Sequence, residues 1–156
     1  MLISRENLKL FCQILHQGNQ KIVFTNGCFD IIHAGHVKYL NSARSLGDVL
    51  IVGLNSDKSV RMLKGESRPI NNEHDRATVL EGLRAVDYVT IFDERTAEAL
   101  ITLVRPDVYA KGEDYTIDTL PEAKLVEEYG GKVSFIKFLA GHSTTGTIDK
   151  IKGQPQ

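Results

Sequence analysis

Apolar residues along this chain follow a helical period in some segments and form short unbroken runs in others. In residues 4–17 they recur at i, i+3, i+4 and i+7, beginning at Leu8, which predicts an amphipathic helix that Gly18-Asn19 ends. Unbroken runs, such as the one at 48–54, predict buried strands instead. The predicted strands cover residues 21–25, 48–54, 87–92, 107–110 and 132–136.

Helical patterns and helix-end signals fill the segments between these runs. The helices expected there cover residues 34–46 (closed by Gly47), the segment marked by Val79, Leu80, Leu83 and Val86, the segment from Ala97 to Val104 ahead of Pro106, residues 121–129, and a short stretch from Ser143. Residues 55–71 predict a polar, basic loop. Because helices alternate with unbroken apolar strands, we expect an α/β fold: a Rossmann-like, doubly wound five-stranded parallel sheet with helices on both faces.

Four polar motifs come at or just after the ends of predicted strands. Residues 25–36 follow the first strand, residues 55–57 the second, residues 111–114 the fourth and residues 143–145 the fifth. Ligands of doubly wound sheets bind beyond the carboxyl ends of the strands, near the point where the strand order reverses. The four motifs therefore predict one shared ligand site.

Composition narrows the classes of function. The 156 residues are 42% apolar and 25% charged with a net charge of −1, as expected of one soluble domain over residues 1–156. No basic tail indicates a nucleic-acid partner, and no apolar run approaches the roughly 20 residues that span a membrane. The two cysteines, Cys12 and Cys28, lack a metal or redox spacing, and the N-terminus lacks a signal-peptide layout, so we expect a cytoplasmic protein.

The most informative motif is His33-Ala34-Gly35-His36, which lies where a strand and a glycine-containing turn lead into a helix. A helix N-terminus offers backbone N–H groups and the positive end of a dipole to an anion, and side chains three residues apart share one face of the first turn. The motif predicts a polyphosphate site with His33 and His36 as catalytic donors and Gly35 allowing close approach of the backbone. Outside this context the pair would more often be core or surface histidines, and no third ligand makes it a metal site.

Nucleotidyl transfer is the chemistry that such a site suits. A phosphate monoester, whose second pKa is about 6, is already largely ionised as a nucleophile, so catalysis depends on positioning and on cationic or N–H donors. Ser143, Thr144 and Thr145 are candidates to hold the β- and γ-phosphates, although the same run would also serve as a simple N-cap. Mg²⁺ is the expected counterion, carried mainly by the triphosphate and water.

Three more side chains are candidates for this reaction. Lys64, in the predicted loop, would close over the triphosphate as a lid, and Arg76 would clamp the acceptor phosphate with its guanidinium fork. Asp30 would position the nucleophile or a metal-bound water. Taken singly, Lys64 is more often a solvated loop charge, and Arg76 an ion-pair partner on a helix surface.

These segments together resemble the cytidylyltransferase-like branch of the H-x-G-H nucleotidyltransferase superfamily. The resemblance runs from residue 21 to residue 152 and leaves the helix within residues 1–20 outside its firmest part. The stretches that carry it are 25–36, 54–57, 63–70, Arg76, 85–89, 106–112, 114–115 and 143–145.

The resemblance implies an adenylyltransferase that makes ADP-heptose and pyrophosphate from ATP and D-glycero-D-manno-heptose 1-phosphate, for lipopolysaccharide core or another surface glycan. It implies nucleotide contacts at Thr25, Asn26, Gly27, Phe29, Asp30, Gly35, Lys111, Gly112, Asp114, Ser143, Thr144 and Thr145. It also implies a homodimer and, because the chain has no kinase half, a separate heptose kinase and phosphatase upstream. Two residues depart from the family pattern: Glu113 stands where a second Gly is usual, and His142 where a Cys is expected.

Three alternatives are open at this point. A cytidylyltransferase that acts on an alcohol phosphate such as glycerol 3-phosphate is the closest, but residues 139–142 lack the Arg-Thr-Glu-Gly sequence typical of those enzymes. A fragment of a class I aminoacyl-tRNA synthetase is disfavoured by the short chain and its lack of a Lys-Met-Ser-Lys-Ser-like loop. A non-catalytic nucleotide sensor is disfavoured because both histidines, Lys64 and Arg76 are present.

Overall fold

Strands and helices alternate through the computed structural model, which describes residues 1–137, 139 and 141–153. The strands are β1 (Ile22–Gly27), β2 (Val49–Asn55), β3 (Tyr88–Phe92), β4 (Val108–Gly112) and β5 (Lys132–Ile136). The helices are α1 (Arg5–Gln17), α2 (Ala34–Arg44), α3 (Asp57–Lys64), α4 (Glu73–Glu81), α5 (Glu98–Val104), α6 (Pro121–Glu128) and α7 (Thr144–Ile151), with a 3₁₀ turn at Ile117–Thr119. The end of the predicted domain, residues 154–156, and Ala140 of the segment before Ser143 lie outside the described residues.

All five strands are parallel, and their order across the sheet is β3-β2-β1-β4-β5. From β1 the chain adds strands in one direction as far as β3, and then returns to add β4 and β5 on the other side. The strand order therefore reverses between β1 and β4, which opens a crevice beyond their carboxyl ends. The predicted Rossmann-like, doubly wound α/β fold is confirmed.

Alternate residues of the strands enter two hydrophobic cores, one on each face of the sheet. Ile22 and Phe24 of β1 pack with α1, α5 and α6, whereas Val23 between them packs with α2 and α4. Every residue of β2 is buried, because this strand has helices on both faces. The unbroken apolar runs in the sequence thus reflect a sheet covered on both sides.

Helix α3 lies inside the segment predicted as a loop, and that prediction was wrong. Ser56 caps the helix by accepting a hydrogen bond from the Ser59 amide at 3.1 Å, and Asp57 lies in its first turn. Gly65 ends it with a φ of 92°. Only Ser59 and Val60 of this helix are buried, so its apolar period is too short to indicate a helix from sequence.

Three other elements end two residues from the predicted position, among them β1, which extends to Gly27 rather than ending at residue 25. Helix α2 ends at Arg44 rather than at residue 46, and β4 extends to Gly112 rather than ending at residue 110. The longer β4 carries residues 111 and 112 to the edge of the sheet. Within the described ranges, none of the helices combines the length and apolar character that a bilayer-spanning segment needs.

The buried face of helix α4 agrees only in part with the predicted one. Val79, predicted to mark the apolar face, is 49% exposed, whereas Leu80, predicted with it, is buried together with Arg76 and Ala77. The helix ends at Glu81, so the more C-terminal apolar residues of this segment follow it in a turn. The face that α4 turns inward therefore includes an arginine.

Candidate active site

A cavity of about 770 Å³ lies at the carboxyl ends of the strands, where β1 and β4 diverge. This volume is typical of sites that bind small molecules. The predicted site residues that line it are Asn26, Gly27, Phe29, Asp30, His33, Gly35, His36, Lys64, Lys111, Gly112, Asp114, Ser143, Thr144 and Thr145. Thr25 and Arg76, which were also predicted, do not line it.

His33 and His36 are placed by the first turn of α2. His33 is the N-cap of this helix, in an extended conformation, and its ring stacks on that of His36 with 3.8 Å between the ring centroids. The spacing of three residues therefore brings both rings together on one side of the helix. Within the described part of the chain, the buried Nδ1 of His33 makes no hydrogen bond, which leaves Nε2 as the nitrogen that can meet a ligand.

Burial favours the neutral form of both histidines. It lowers the pKa of His36 to about 4, with a further contribution from His33. Burial, followed by the proximity of His142, also lowers the pKa of His33. At neutral pH the rings therefore act as uncharged N–H donors, and a bound polyphosphate would favour their protonated forms.

Two tight contacts hold the histidine rings in place. A Cβ atom at Gly35 would lie 2.9 Å from Nδ1 of His33 and 3.2 Å from Cβ of His142, so a larger residue would displace a ring. Phe29 meets the His36 ring edge-on, with 5.3 Å between the centroids. Phe29 does so from a φ of 44°, a left-handed conformation that bulky residues rarely adopt. Gly35 beside His33 and Phe29 beside His36 thus restrict where the two rings can lie.

The N-terminus of α7 reaches the same cavity as that of α2. Ser143 caps α7 by accepting a hydrogen bond from the Gly146 amide at 2.9 Å. The Thr144 hydroxyl donates to the Ile31 carbonyl at 3.3 Å, which ties α7 to the segment between β1 and α2. Two helix N-termini, each with N–H groups outside the helical hydrogen-bond pattern, therefore converge on one cavity, an arrangement that suits a polyanion.

Side chains of β1 and β4 meet where the strand order reverses. Asn26 Oδ1 accepts hydrogen bonds from the Tyr109 hydroxyl at 2.7 Å and from Lys111 Nζ at 3.1 Å. Thr25 is fully buried and shares a hydrogen bond of 2.7 Å with the Tyr39 hydroxyl, which donates to a β4 carbonyl at 3.0 Å. Thr25, predicted to line the nucleotide pocket, instead lies below it and links β1 to α2.

Lys111 brings a cation to the β4 side of the cavity. Burial lowers its pKa, although the carboxylates of Glu122 and Asp114 act in the opposite direction. Its Nζ also lies 4.7 Å from the centre of the Tyr115 ring. Lys111 is only 9% exposed, and its ammonium group is held in place by these neighbours.

Asp30 anchors the segment that follows α3. Its carboxylate accepts hydrogen bonds from Arg68 Nε at 2.6 Å and from the amides of Ile70 and Asn71 at 2.8 and 2.9 Å. Burial would raise its pKa, but these hydrogen bonds outweigh that effect and lower the pKa. Both carboxylate oxygens are thus engaged by protein donors, and the role of Asp30 beside the nucleophile or a metal-bound water stays a prediction.

Arg76 occupies the interior rather than the predicted place at the acceptor phosphate. Its side chain is 1% exposed. The guanidinium donates to the carbonyls of Asn71 at 2.9 Å, Cys28 at 2.6 Å and Asn55 at 2.8 Å, and to the Asp57 carboxylate at 2.8 Å. It therefore joins the ends of β1 and β2 to the starts of α3 and α4, below the cavity.

Other lining side chains were not among the predicted site residues. They include Tyr39, Arg68, Arg95, Thr96, Tyr115, Glu122 and His142. Residues 93–96 follow β3, the one strand whose carboxyl end had been given no candidate motif. The rule that ligands bind beyond strand ends applies to β3 as well, and would have drawn attention to this loop.

Comparison with known sequences identifies the matching segment. The cytidylyltransferase-like family profile matches residues 24–143, from β1 to the N-cap of α7. The bifunctional protein HldE of Wolinella succinogenes is 53% identical over 152 residues, which cover 97% of this chain and 31% of that protein. The corresponding protein of Campylobacter concisus is 59% identical over 141 residues, 90% of this chain and 29% of that one. The chain thus spans about a third of the length of these relatives.

Comparison with solved structures agrees with the fold. The lipopolysaccharide core biosynthesis protein from Thermoplasma volcanium superposes with a TM-score of 0.64 and 27% identity, over 77% of this chain and 97% of that one. The pantoate-beta-alanine ligase from Francisella tularensis superposes with a TM-score of 0.60 over 97% of this chain and 77% of that one. Its 19% identity makes it informative about the fold alone.

Proposed function

Because the chain belongs to the cytidylyltransferase-like family, we propose that it transfers the adenylyl group of ATP to D-glycero-D-manno-heptose 1-phosphate, giving ADP-heptose and pyrophosphate. The observation that carries this proposal is the cavity where the N-termini of α2 and α7 converge, with His33 and His36 stacked at its edge. Support for the heptose substrate comes from the motif stretches in residues 54–70 and 106–115, and from the HldE relatives that match nearly the whole chain.

The nucleophile in this reaction needs positioning more than deprotonation. The phosphate of the sugar attacks the α-phosphorus of ATP, a new P–O bond forms, and the bond to the pyrophosphate oxygen breaks. Since a phosphate monoester with a second pKa of about 6 is mostly a dianion at neutral pH, no general base is required. The protein must bring two anions together and hold them in line.

Charge that develops on the leaving pyrophosphate meets the histidine side of the cavity. In our proposal Nε2 of His33 and the His36 ring donate to phosphate oxygens, while the first N–H groups of α7 hold the distal phosphates. The neutral resting state of the rings allows them to gain a proton as negative charge enters. Lys64, exposed at the end of α3, adds a cation at the edge of the cavity.

Mg²⁺ enters this proposal as part of the MgATP substrate. The described residues contain no group of three or more His, Cys, Asp or Glu side chains that would hold a metal ion by themselves. Mg²⁺ commonly binds through substrate phosphates and water rather than through an all-protein cage. The ion would neutralise part of the triphosphate charge.

An assay of pyrophosphate release tests the proposal directly. ATP, CTP, GTP and UTP would each be combined with both anomers of D-glycero-D-manno-heptose 1-phosphate, glycerol 3-phosphate and phosphoethanolamine, with Mg²⁺ present. We expect turnover with ATP and one heptose 1-phosphate anomer. Turnover with CTP and an alcohol phosphate would instead support the cytidylyltransferase alternative.

Substitution of the histidines separates an enzyme from a nucleotide sensor. We expect His33→Ala and His36→Ala to reduce turnover by about 100-fold or more, by analogy with the loss of a donor that stabilises developing charge. The variants should retain the circular dichroism spectrum of the folded protein. A sensor would instead show altered nucleotide binding and no turnover in the parent protein. The homodimer and the separate upstream kinase and phosphatase stay predictions, and sedimentation velocity tests the first of them.

A further inference from the structure

The acceptor phosphate needs a cationic partner, and the residue predicted for that role does not line the cavity in the structure. Arg76 is buried, and its guanidinium donates to four protein acceptors. A phosphate dianion next to a triphosphate still requires a donor that offsets the added negative charge. Another residue of the cavity must therefore supply it.

The cavity lining contains four long cationic side chains: Lys64, Arg68, Arg95 and Lys111. Arg68 is paired with Asp30 at 2.6 Å, and Lys111 donates to Asn26 at 3.1 Å. Within the described residues, Lys64 and Arg95 make neither an ion pair nor a side-chain hydrogen bond. Of these two, Arg95 carries the planar fork that matches a phosphate group.

The backbone on either side of Arg95 is fixed, although its side chain is free. The Ser59 hydroxyl donates to the Glu94 carbonyl at 2.7 Å, and the Glu94 side chain pairs with Arg5. On the other side, the Ala97 amide donates to the buried Glu122 carboxylate at 3.0 Å. A side chain on such a support loses less conformational freedom when it binds a ligand than one on a loose loop.

Arg95 also comes from the opposite face of the sheet to the histidine pair. It lies three residues before the start of α5, which packs with α1 and α6, whereas His33 and His36 lie at the start of α2 on the other face. In-line displacement places the attacking and leaving oxygens on opposite sides of the α-phosphorus. If the histidines serve the leaving pyrophosphate, a cation from the α5 face lies on the side from which the acceptor approaches.

We infer that Arg95 binds the phosphate of the acceptor substrate, which is the role that the sequence had suggested for Arg76. The inference rests on the proposed function in one respect, namely that the acceptor is a phosphate monoester. It assigns the β3–α5 loop to the acceptor and the α2 and α7 N-termini to the nucleotide. Arg95 thereby determines acceptor affinity rather than nucleotide affinity.

Kinetics of Arg95→Gln and Arg95→Lys test the inference. We expect Arg95→Gln to raise KM for the sugar 1-phosphate by about 10- to 100-fold, the usual effect of losing a charged hydrogen bond, and to change KM for ATP less than about twofold. Arg95→Lys should recover part of the loss, because it keeps the charge but not the fork. Arg84→Gln is the matched control, since Arg84 is an exposed arginine outside the cavity lining.

Equilibrium binding separates this inference from the proposed function. Calorimetry would measure heptose 1-phosphate and glycerol 3-phosphate binding to protein loaded with an ATP analogue that has a methylene group between the α- and β-phosphorus atoms. Parent protein that binds a phosphate monoester, with binding weakened in Arg95→Gln, supports the inference whichever acceptor is used. Equal binding by both proteins, or an equal rise in KM for ATP and acceptor, overturns it. A parent protein that binds and turns over no phosphate monoester overturns both proposals.

Discussion

Gly35 is the residue whose substitution most directly tests the histidine geometry. A methyl group there would meet His33 at 2.9 Å, so the ring must move, while the helix itself accepts alanine readily. We expect Gly35→Ala to lower kcat by about 10- to 100-fold, since displacement of a reacting group by about 1 Å has effects of that order. The free energy of unfolding, measured by urea titration, should change by no more than about 1 kcal/mol.

Gly82→Ala provides the matched control for this substitution. A Cβ atom at Gly82 would lie no closer than 3.4 Å to its neighbours, and Gly82 lies outside the cavity lining. This variant should keep full activity. Unchanged kcat in Gly35→Ala, with the protein folded, would show that the ring positions do not limit the reaction.

The low pKa of His36 makes stability depend on pH in a defined direction. The folded protein holds this pKa at about 4, whereas an unfolded histidine titrates near 6.5. Between these values the unfolded chain binds more protons, so the free energy of unfolding falls as the pH decreases from about 6.5 towards 4. Above about pH 6.5 this contribution is fully present.

Urea unfolding at pH 7.5 and pH 5 measures the effect. We expect His36→Asn to lose less stability than the parent protein between these two pH values, because it lacks the group that takes up the proton. His74→Asn, at an exposed position outside the cavity lining, should behave like the parent. Parallel pH dependence in the parent and His36→Asn would contradict the prediction.

At this scale, the sequence predicts some site residues well and others poorly for a physical reason. His33, Gly35 and His36 are fixed by one helical turn, so their spacing alone determines how they face each other. The place of Arg76 depends on which face of α4 is buried and on carbonyl groups from three other segments. A long side chain with tertiary partners cannot be placed from the local pattern of residues. For the same reason, that pattern did not indicate that Arg95 lines the cavity.

Among the elements, α3 determines how Lys64 is held, because this residue is the last of a helix rather than part of a loop. As part of a flexible loop Lys64 would move alone, but in the structure it ends a helix whose first turn is held from two sides. The Asp57 amide donates to Glu73 at 2.7 Å, and the Asp57 carboxylate accepts from Arg76 at 2.8 Å. Any closure over the triphosphate therefore involves the end of α3 and the turn at Gly65. The Ser56 cap and Gly65 were the available sequence signals for this helix.

Arg76 is predicted to stabilise the junction of four elements. Arg76→Lys keeps the charge but provides neither the fork nor enough donors for the four acceptors, so buried carbonyls lose their partners. We expect the free energy of unfolding to fall by about 3 kcal/mol, as measured by urea titration. Below its unfolding transition the variant should keep a nearly normal KM for the acceptor.

Arg84→Lys makes the same chemical change at an exposed position and should change stability by less than about 0.5 kcal/mol. If Arg76→Lys were as stable as the parent and instead showed a large rise in KM for the acceptor, that result would support the direct phosphate contact expected from the sequence.

On the scale of the whole molecule, the cavity joins segments far apart in the chain. The Thr144 hydroxyl bonds the Ile31 carbonyl across 113 positions, and His142 packs beside Gly35. Parallel strands bring such segments to one edge of the sheet, and for this reason the alternation of strands and helices was enough to predict that the motifs converge. Which side chains touch there depends on the twist and packing that the pattern does not specify.

A ligand that contacts several of these segments should stabilise the entire fold. At a concentration of about 100 times its Kd, MgATP is expected to add about 2.7 kcal/mol to the free energy of unfolding. For a chain of 156 residues this corresponds to a rise in Tm of about 5–10 °C in differential scanning calorimetry. Adenosine, which lacks the phosphates, should give a much smaller shift. Equal shifts with both ligands would argue against binding through the two helix N-termini.

The buried carboxylate that holds residues 68–71 also determines how this surface exchanges with solvent. Residues between Gly65 and Asn72 are exposed or half-buried, so a backbone amide there with no protein acceptor is expected to exchange rapidly with deuterium. The amides of Ile70 and Asn71 instead donate to Asp30, and we expect them to exchange slowly. In Asp30→Asn, mass spectrometry should show that this protection is lost and that the segment becomes the first site of limited proteolysis.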